Sequence, residues 1–128
     1  MSNPYPMEER RKFRRVKASS IINLRVFSMP EADTQFSSLT FDGIMIDICE
    51  GGLGFLTDQS LPPQSTITAR FTLFTDYPLI KEHSRVIEPR GEIRYAKKIE
   101  ERSYRLGVSF MNIPGDDRSY IANLVKWA

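Results

Sequence analysis

Residues 66–73 read Thr-Ile-Thr-Ala-Arg-Phe-Thr-Leu, and this stretch shows the clearest hydrophobic alternation in the chain. Its apolar residues stand at every second position: Ile67, Ala69, Phe71 and Leu73. Because successive side chains of a β-strand point to opposite faces, the pattern predicts a strand with one buried and one exposed face. Strands of this kind are typical of antiparallel sheets.

Shorter stretches with similar alternation lie on both sides of this strand. We predict further strands over residues 20–27, 41–48, 53–57, 85–88, 91–96 and 104–110. Ile44, Ile46 and Ile48 alternate, so we expect them to face the core and Asp47 to point the other way. The charged residues 97–103 are expected to form an exposed hairpin loop. Six or seven short strands separated by turns predict a small antiparallel barrel or sandwich.

The pattern changes after Pro114, where helical spacing replaces alternation. The apolar positions of this last segment are Tyr120, Ile121, Leu124 and Val125. They predict a C-terminal helix over about 115–127 that lies on the barrel or covers one of its ends. Asp116 or Asp117 is expected to cap the N-terminus of this helix.

Length and composition exclude several classes of protein. A chain of 128 residues fits one domain with its own hydrophobic core. No apolar run approaches the ~20 residues of a membrane span, and residues 1–6 lack the apolar stretch of a signal peptide. A single cysteine cannot form an internal disulfide, which agrees with the reducing cytoplasm that we expect as its location.

Neither metal binding nor catalysis is expected from the sequence. Cys49 and His83, the single cysteine and the single histidine, have no metal-ligand spacing. We find no acid–base pair, nucleophile triad or phosphate-binding loop, so we predict that the protein is not an enzyme and has no cofactor.

Positive charge is concentrated near the N-terminus. Residues 8–17 hold six basic and two acidic residues, a local balance of +4, while the whole chain carries +2. The remainder therefore carries −2. Nucleic-acid binders usually spread basic charge over a whole face, so this distribution favours a compact anionic ligand, although a basic tail for nucleic acid stays open.

Two short motifs supply groups that suit one ligand. Residues 9–15, Glu-Arg-Arg-Lys-Phe-Arg-Arg, carry guanidinium groups, which bind phosphates and stack on bases. Residues 47–55, Asp-Ile-Cys-Glu-Gly-Gly-Leu-Gly-Phe, carry a carboxylate that accepts the paired N–H donors of a guanine edge, and glycines that let a ligand approach the backbone. Together they suggest a small anionic ligand that contains guanine.

The two motifs resemble the signature of the PilZ domain family, bacterial receptors for cyclic di-GMP. That signature is Arg-x-x-x-Arg before the first strand, followed later by Asp/Asn-x-Ser-x-x-Gly. Arg11 and Arg15 match the first motif, and Asp47, Cys49 and Gly52 match the second.

The resemblance extends over roughly residues 10–127, including the last strand at 104–110. It implies a six-stranded antiparallel β-barrel with a C-terminal α-helix. The expected divisions are a flexible end at 1–8 and a PilZ domain at 9–128, with an arginine arm at 9–17, a barrel at about 18–112 and a helix at about 115–127.

The resemblance also implies cyclic di-GMP as the ligand. Arg11 and Arg15 would then bind phosphate oxygens and guanine acceptor atoms, and Asp47 would accept a guanine N–H pair. An arginine at the position of Arg10 implies a second, stacked ligand molecule, so we expect an intercalated dimer.

Further ligand contacts are expected from Gly51, Gly52 and Arg94. The glycines would form the turn beside the ligand. Arg94 is expected to face opposite Ile93 and Tyr95 on its strand, where it is either a further phosphate contact or an ordinary outward-facing charge.

Cys49 departs from the family pattern, because serine usually stands at this position. A thiol is a weaker donor than a hydroxyl, and losing one neutral hydrogen bond costs about 0.5–1.5 kcal/mol, or at most about a tenfold loss of affinity. The contact at Cys49 is therefore expected to be weak.

Three functions stay open from the sequence. The leading hypothesis is a cyclic di-GMP receptor and adaptor whose arginine arm closes on the ligand and alters the surface offered to a protein partner. An alternative is a degenerate PilZ-like interaction module that binds the ligand weakly or not at all. A third is a nucleic-acid binder, which would show steep salt dependence.

Overall fold

The structure is a computed structural model, and it describes residues 16–30 and 39–127. Within these ranges it contains seven strands and one helix. The strands are β1 Val16–Ser28, β2 Thr40–Cys49, β3 Gly52–Thr57, β4 Thr66–Phe74, β5 Ser84–Ile87, β6 Arg90–Glu100 and β7 Ser103–Asn112, and the helix is α1, Gly115–Trp127. The mainly β fold with a C-terminal helix is confirmed.

Six of the strands close into a ring. Their order is β1-β2-β3-β7-β6-β4, and β4 pairs back with β1, while β5 pairs only with β4. All of these pairings are antiparallel. The predicted six-stranded antiparallel barrel is therefore confirmed, with a seventh short strand added to the outside of the ring.

The core lies inside the ring and is filled by the inward residues of the alternating strands. On β4 the predicted inward positions are all buried, from Ile67 at 0% exposed to Leu73 at 5%. On β1 the inward residues are Ile22, Leu24 and Val26, which alternate along the strand predicted at 20–27. Burying such side chains contributes about 1.5–3 kcal/mol each before the entropic cost of folding, so these strands supply much of the driving force.

Helix α1 completes the core through Tyr120, Ile121 and Val125, which belong to the same buried cluster as the barrel residues. The predicted apolar stripe is therefore correct. The helix begins at Gly115, so Asp116 and Asp117 lie inside its first turn and the capping prediction is wrong. Both carboxylates still stand at the end of the helix where the macrodipole favours negative charge.

The helix is attached to the β4–β5 connection by polar contacts around Arg85. Its Nε donates to Asp117 Oδ1 at 2.7 Å and its Nη1 to Glu82 Oε1 at 2.8 Å. The hydroxyl of Tyr120 donates to the carbonyl oxygen of Glu82 at 2.8 Å. These contacts hold the helix in place at the barrel.

The charged segment 97–103 is not a loop, which corrects the sequence prediction. β6 and β7 continue through it and leave only Glu101 and Arg102 as the turn, with Arg102 at φ 58°. This ribbon has solvent on both faces, so Lys97 and Lys98 stay exposed within a strand and produce no apolar alternation.

In the described ranges, no helix is both long and apolar enough to cross a bilayer.

Tyr120 makes the stability of the fold fall as the pH rises in the alkaline range. Burial, and then the charge of Glu82, raises the pKa of Tyr120 above its ordinary value of 10.0. The folded state therefore holds the phenol proton more tightly than the unfolded chain does. Its contribution to stability is complete below about pH 10 and is lost as the pH rises further.

We expect the difference in unfolding free energy between the wild type and Tyr120→Phe to shrink as the pH is raised from about 9 to about 11.5. Urea denaturation at a series of pH values measures it. Val125→Ala removes buried volume from the same helix without removing a titrating group. The unfolding free energy that it loses relative to the wild type should therefore stay constant over this pH range. If the difference in unfolding free energy between the wild type and Tyr120→Phe stayed constant over this range, the raised pKa of Tyr120 would be contradicted.

Candidate functional site on the outer face of the barrel

Asp47 lies on the outer face of β2, where a β-bulge places it. The register of β2 against β3 shifts between Met45 and Asp47. Met45 is therefore fully buried while Ile44 is 51% exposed, so the predicted inward row of Ile44, Ile46 and Ile48 is wrong except at Ile48. The outward direction of Asp47 is correct, and its side chain is 15% exposed. A bulge of this kind re-aims side chains, which alternation alone does not reveal.

Two glycines separate Asp47 from Tyr95 along one row across the sheet. Asp47 of β2 lies opposite Gly54 of β3, Gly54 lies opposite Gly107 of β7, and Gly107 lies opposite Tyr95 of β6. A Cβ at Gly54 would stand 3.0 Å from Asp47 Oδ1, and a Cβ at Gly107 would overlap the Tyr95 ring. The row therefore presents an acid and an aromatic ring, each packed over bare backbone.

Arg105 connects the two ends of this row. Its Nη2 donates to Asp47 Oδ2 at 3.2 Å, and its Nε donates a long hydrogen bond to the Tyr95 hydroxyl at 3.5 Å. The hydrogen bond to Tyr95, and then the charge of Asp47, raises the pKa of Arg105. The guanidinium is therefore a permanent cation that orients the carboxylate. We call Asp47, Gly54, Tyr95, Arg105 and Gly107 the outer-face site.

Gly52 is required by packing rather than by backbone conformation. No glycine in the described ranges has a positive φ, and a Cβ at Gly52 would overlap the carbonyl oxygen of Val108 on β7. Glu50 and Gly51 form the turn of the β2–β3 hairpin, which Cys49 and Gly52 close as opposite residues. Cys49 is only 4% exposed. The second motif thus supplies one outward carboxylate and a tightly packed hairpin.

Arg94 also lies beside a bulge, which corrects the faces predicted for its strand. The register of β6 shifts between Ile93 and Tyr95, so Ile93 is fully buried whereas Tyr95 is 42% exposed. Arg94 is exposed, as expected of an outward-facing charge, and its Nη1 contacts Glu92 Oε2 at 3.3 Å. Tyr95 and its neighbour Arg94 therefore both lie on the outer face.

The register of β1 brings Val16 and Lys17, the residues that follow the first motif in the sequence, next to the second motif. Val16 lies opposite Ile48 and Lys17 lies opposite Asp47, so the chain enters the barrel beside the outer-face site. Arg10, Arg11 and Arg15 lie outside the described residues. Covalent geometry nevertheless limits their reach, because the six residues from Arg10 to Val16 span at most about 22 Å.

The sequence prediction missed Tyr95, Arg105, Gly54 and Gly107 as parts of the site. Gly54 and the segment 104–110 had been noticed, yet only the strand register brings them to Asp47 and Tyr95. The described residues include no group of three potential metal ligands from His, Cys, Asp and Glu. His83 is an exposed residue of the β4–β5 connection, whereas Cys49 is buried.

Comparison with known proteins gives a family and a fold. Residues 9–127 match the family model described as the PilZ domain. No curated protein sequence matches the chain.

Several solved structures are similar to this one at low sequence identity. The inhibitor of motility MotI/DgrA of Bacillus subtilis has 16% identity and a TM-score of 0.67, over 92% of this chain and 50% of that one. The PilZ domain of YcgR from Escherichia coli, solved with c-di-GMP, has 12% identity and a TM-score of 0.58, over 92% of this chain and 90% of that one. The PlzA protein of Borreliella burgdorferi, in complex with c-di-GMP, has 13% identity and a TM-score of 0.52, over 96% of this chain and 53% of that one. The chain thus spans about half the length of the Bacillus and Borreliella proteins.

The two motif glycines should respond differently to an added methyl group. Gly52→Ala forces a Cβ into the backbone of β7, so we expect a loss of about 1–3 kcal/mol or more in unfolding free energy. Gly54→Ala brings a Cβ to 3.0 Å from Asp47 Oδ1, where a small shift of that side chain relieves the contact, so its loss should be under about 1 kcal/mol.

Urea denaturation measures both changes. Gly115→Ala is the matched control, because nothing lies within 4 Å of the added Cβ. Equal stability of Gly52→Ala and wild type would show that the packing of β3 against β7 is not as described.

Proposed function

The chain belongs to the PilZ domain family, and on that premise we propose that it is a receptor for cyclic di-GMP that acts as an adaptor. The observation that carries this proposal is the β1–β2 register, in which Lys17 lies opposite Asp47. It places the strand that follows the arginine cluster directly beside the acidic motif. This register supports the proposal that the two motifs, separated in sequence, contribute to one ligand site.

The chemistry of the outer-face site suits a guanine nucleotide. A carboxylate accepts hydrogen bonds at about four lone-pair positions, so Asp47 has capacity for a guanine N–H pair beside its bond from Arg105. The exposed ring of Tyr95 offers an aromatic surface on which a base can stack. The side chains of Asp47 and Tyr95 lie directly over Gly54 and Gly107, so the sheet presents the carboxylate and the ring in one row.

The arginine arm supplies the cationic part of the proposed site. We assign Arg11 and Arg15 to phosphate oxygens and guanine acceptor atoms, since guanidinium forks form charge-assisted hydrogen bonds with both. Arg10 is assigned to a second, stacked ligand molecule, which makes the bound species an intercalated dimer. Arg94 reaches a phosphate only by exchanging its exposed contact with Glu92.

Energetics fit a moderate affinity. Three charge-assisted contacts contribute about 1.5–3 kcal/mol each, while ordering the arm opposes binding by about 1–2 kcal/mol per residue. The two terms oppose each other, so very tight binding is not expected, and we propose a dissociation constant no lower than micromolar, about −8 kcal/mol. We propose that the arm orders on the ligand and thereby changes the surface that the barrel offers to a partner in the cytoplasm.

Isothermal titration with cyclic di-GMP tests the proposal. We expect micromolar binding by the wild type and at least about tenfold weaker binding by Arg11→Ala and by Arg15→Ala. Gly54→Ala should stay folded yet bind more weakly, because its Cβ displaces the Asp47 carboxylate. Arg10→Ala should change the stoichiometry from two ligands per chain to one.

Arg102→Ala is the control, because Arg102 is an exposed residue of the β6–β7 turn and is not part of the outer-face site. Its affinity should equal that of the wild type. The absence of any binding heat from folded wild-type protein would refute the receptor proposal.

Cys49 favours a second function, an interaction module that has lost the ligand. Serine is usual at this position, and the side chain here is nearly completely buried. On the receptor proposal, Cys49→Ser changes affinity by less than about tenfold, because a single neutral hydrogen bond is exchanged. On the alternative, Cys49→Ser creates binding that the wild type lacks.

Titration of Cys49→Ser therefore separates the two functions. Its unfolding free energy must be measured beside its affinity, since a buried hydroxyl without a partner costs about 1–3 kcal/mol. Unchanged micromolar affinity supports the receptor, and binding gained only in the variant supports the degenerate module.

A further inference from the structure

A second row of outward side chains crosses the barrel away from the outer-face site. Arg25 of β1 lies opposite Thr68 of β4, Thr68 lies opposite Arg90 of β6, and Arg90 lies opposite Asn112 of β7. The neighbouring residues Val26, Ile67 and Ala69 are buried, so this row lies on the outside of the ring. The row lines an open groove that also includes Phe27 and Glu88.

The two arginines of the groove are available for a ligand. Arg25 and Arg90 make no salt bridge within the part of the chain that the structure describes. In contrast, Arg85, Arg94 and Arg105 each contact a carboxylate. Neighbouring strands are about 4.8 Å apart, so the backbones of Arg25 and Arg90 are about 10 Å apart across β4.

Phe27 holds one of these arginines in a defined orientation. The guanidinium carbon of Arg90 lies 4.5 Å from the centre of the Phe27 ring. Stacking of this kind fixes the guanidinium plane and leaves its N–H edges open for a carboxylate or a phosphate. Phe27 itself stands at a register shift in the β1–β4 pairing and is 38% exposed. The groove is therefore partly organised without an occupant.

We propose that this groove binds an acidic segment of a partner protein. The guanidinium groups of Arg25 and Arg90, carried on backbones about 10 Å apart, can each pair with one carboxylate of an extended chain. The Thr68 hydroxyl and the Asn112 amide lie in the same row and can hydrogen-bond the backbone of that segment. Charge complementarity thus identifies the occupant, and the proposal does not depend on cyclic di-GMP binding.

The charge count of the groove disfavours other polyanions. It holds two cations and the carboxylate of Glu88, whereas nucleic-acid and lipid surfaces recruit larger basic clusters. Arg90 and Tyr95 are five residues apart on β6, or about 17 Å along the strand. A segment bound in the groove therefore leaves the outer-face site open.

Amide NMR titration with a defined probe tests this assignment. The probe is the acetylated, amidated peptide (Asp-Ser)5, and its matched control is (Asn-Ser)5. We expect (Asp-Ser)5 to shift the amides of Arg25, Thr68 and Arg90, and (Asn-Ser)5 to bind at least about tenfold more weakly.

Variants with matched charge changes locate the binding. Arg25→Glu/Arg90→Glu should weaken (Asp-Ser)5 binding at least about tenfold, and Glu88→Gln should strengthen it about two- to fivefold. Arg102→Glu/Lys97→Glu makes the same change in net charge on the β6–β7 ribbon and should leave affinity within about twofold.

Three results would overturn the proposal. One is equal weakening by Arg102→Glu/Lys97→Glu, which would mean that only net charge matters. Another is equal affinity for (Asn-Ser)5. The third is tighter groove binding, dependent on Arg25 and Arg90, by single-stranded DNA or by phosphatidylglycerol vesicles, which would assign the groove to phosphates.

Discussion

Closure of the ring through β4 is the constraint on which the other features depend. β4 pairs with β1 over Thr66–Arg70 and with β6 over Thr66–Thr68, so it is hydrogen-bonded on both sides where the ring closes. The pairing joins strands roughly forty residues apart, and its loop entropy must be offset by burial of the shared inner face. Once closed, the ring assigns every outward side chain a fixed neighbour on the next strand. The groove row crosses β4 itself, and the outer-face row crosses β2, β3, β7 and β6, four strands of the same ring.

β-Bulges convert the regular barrel into a surface with distinct sites. One bulge turns Asp47 outward on β2, and another turns Tyr95 outward on β6. Asp47 and Tyr95 then pack directly over Gly54 and Gly107 on the intervening strands, and Arg105 contacts both side chains. A strand without bulges would alternate strictly and would bury one of these side chains. The price of such an arrangement is local loss of ladder pairing, which the closed ring tolerates.

Much of the fold could be predicted from the sequence because alternation reports burial directly. β1, β4, β7 and the helix stripe were identified correctly, since their apolar residues follow one period throughout. The prediction failed where the period changes. The bulge at Asp47 exchanged the faces of Ile44 and Met45, and the exposed β6–β7 ribbon showed no apolar period at all.

The sites were harder to predict than the strands. Asp47 was identified from its motif, and its outward direction was correct although the reasoning about its neighbours was not. Tyr95 and Arg105 meet Asp47 only through pairing across β3 and β7. Arg25 and Arg90 are far apart in sequence, so no local pattern indicates that they share a groove. The roles of Arg10, Arg11 and Arg15 stay predictions, since these residues lie outside the described ranges.

We propose that cyclic di-GMP binds on the outer-face site, against Asp47 and Tyr95 where they lie over β3 and β7. Amide NMR of the labelled protein during titration with cyclic di-GMP tests it most directly. The account predicts that the amides of Gly54 and Gly107 shift together and saturate at one dissociation constant, while those of Thr68 and Arg90 stay unchanged. Saturating binding that leaves Gly54 and Gly107 unshifted, or that shifts the groove most strongly, would contradict it.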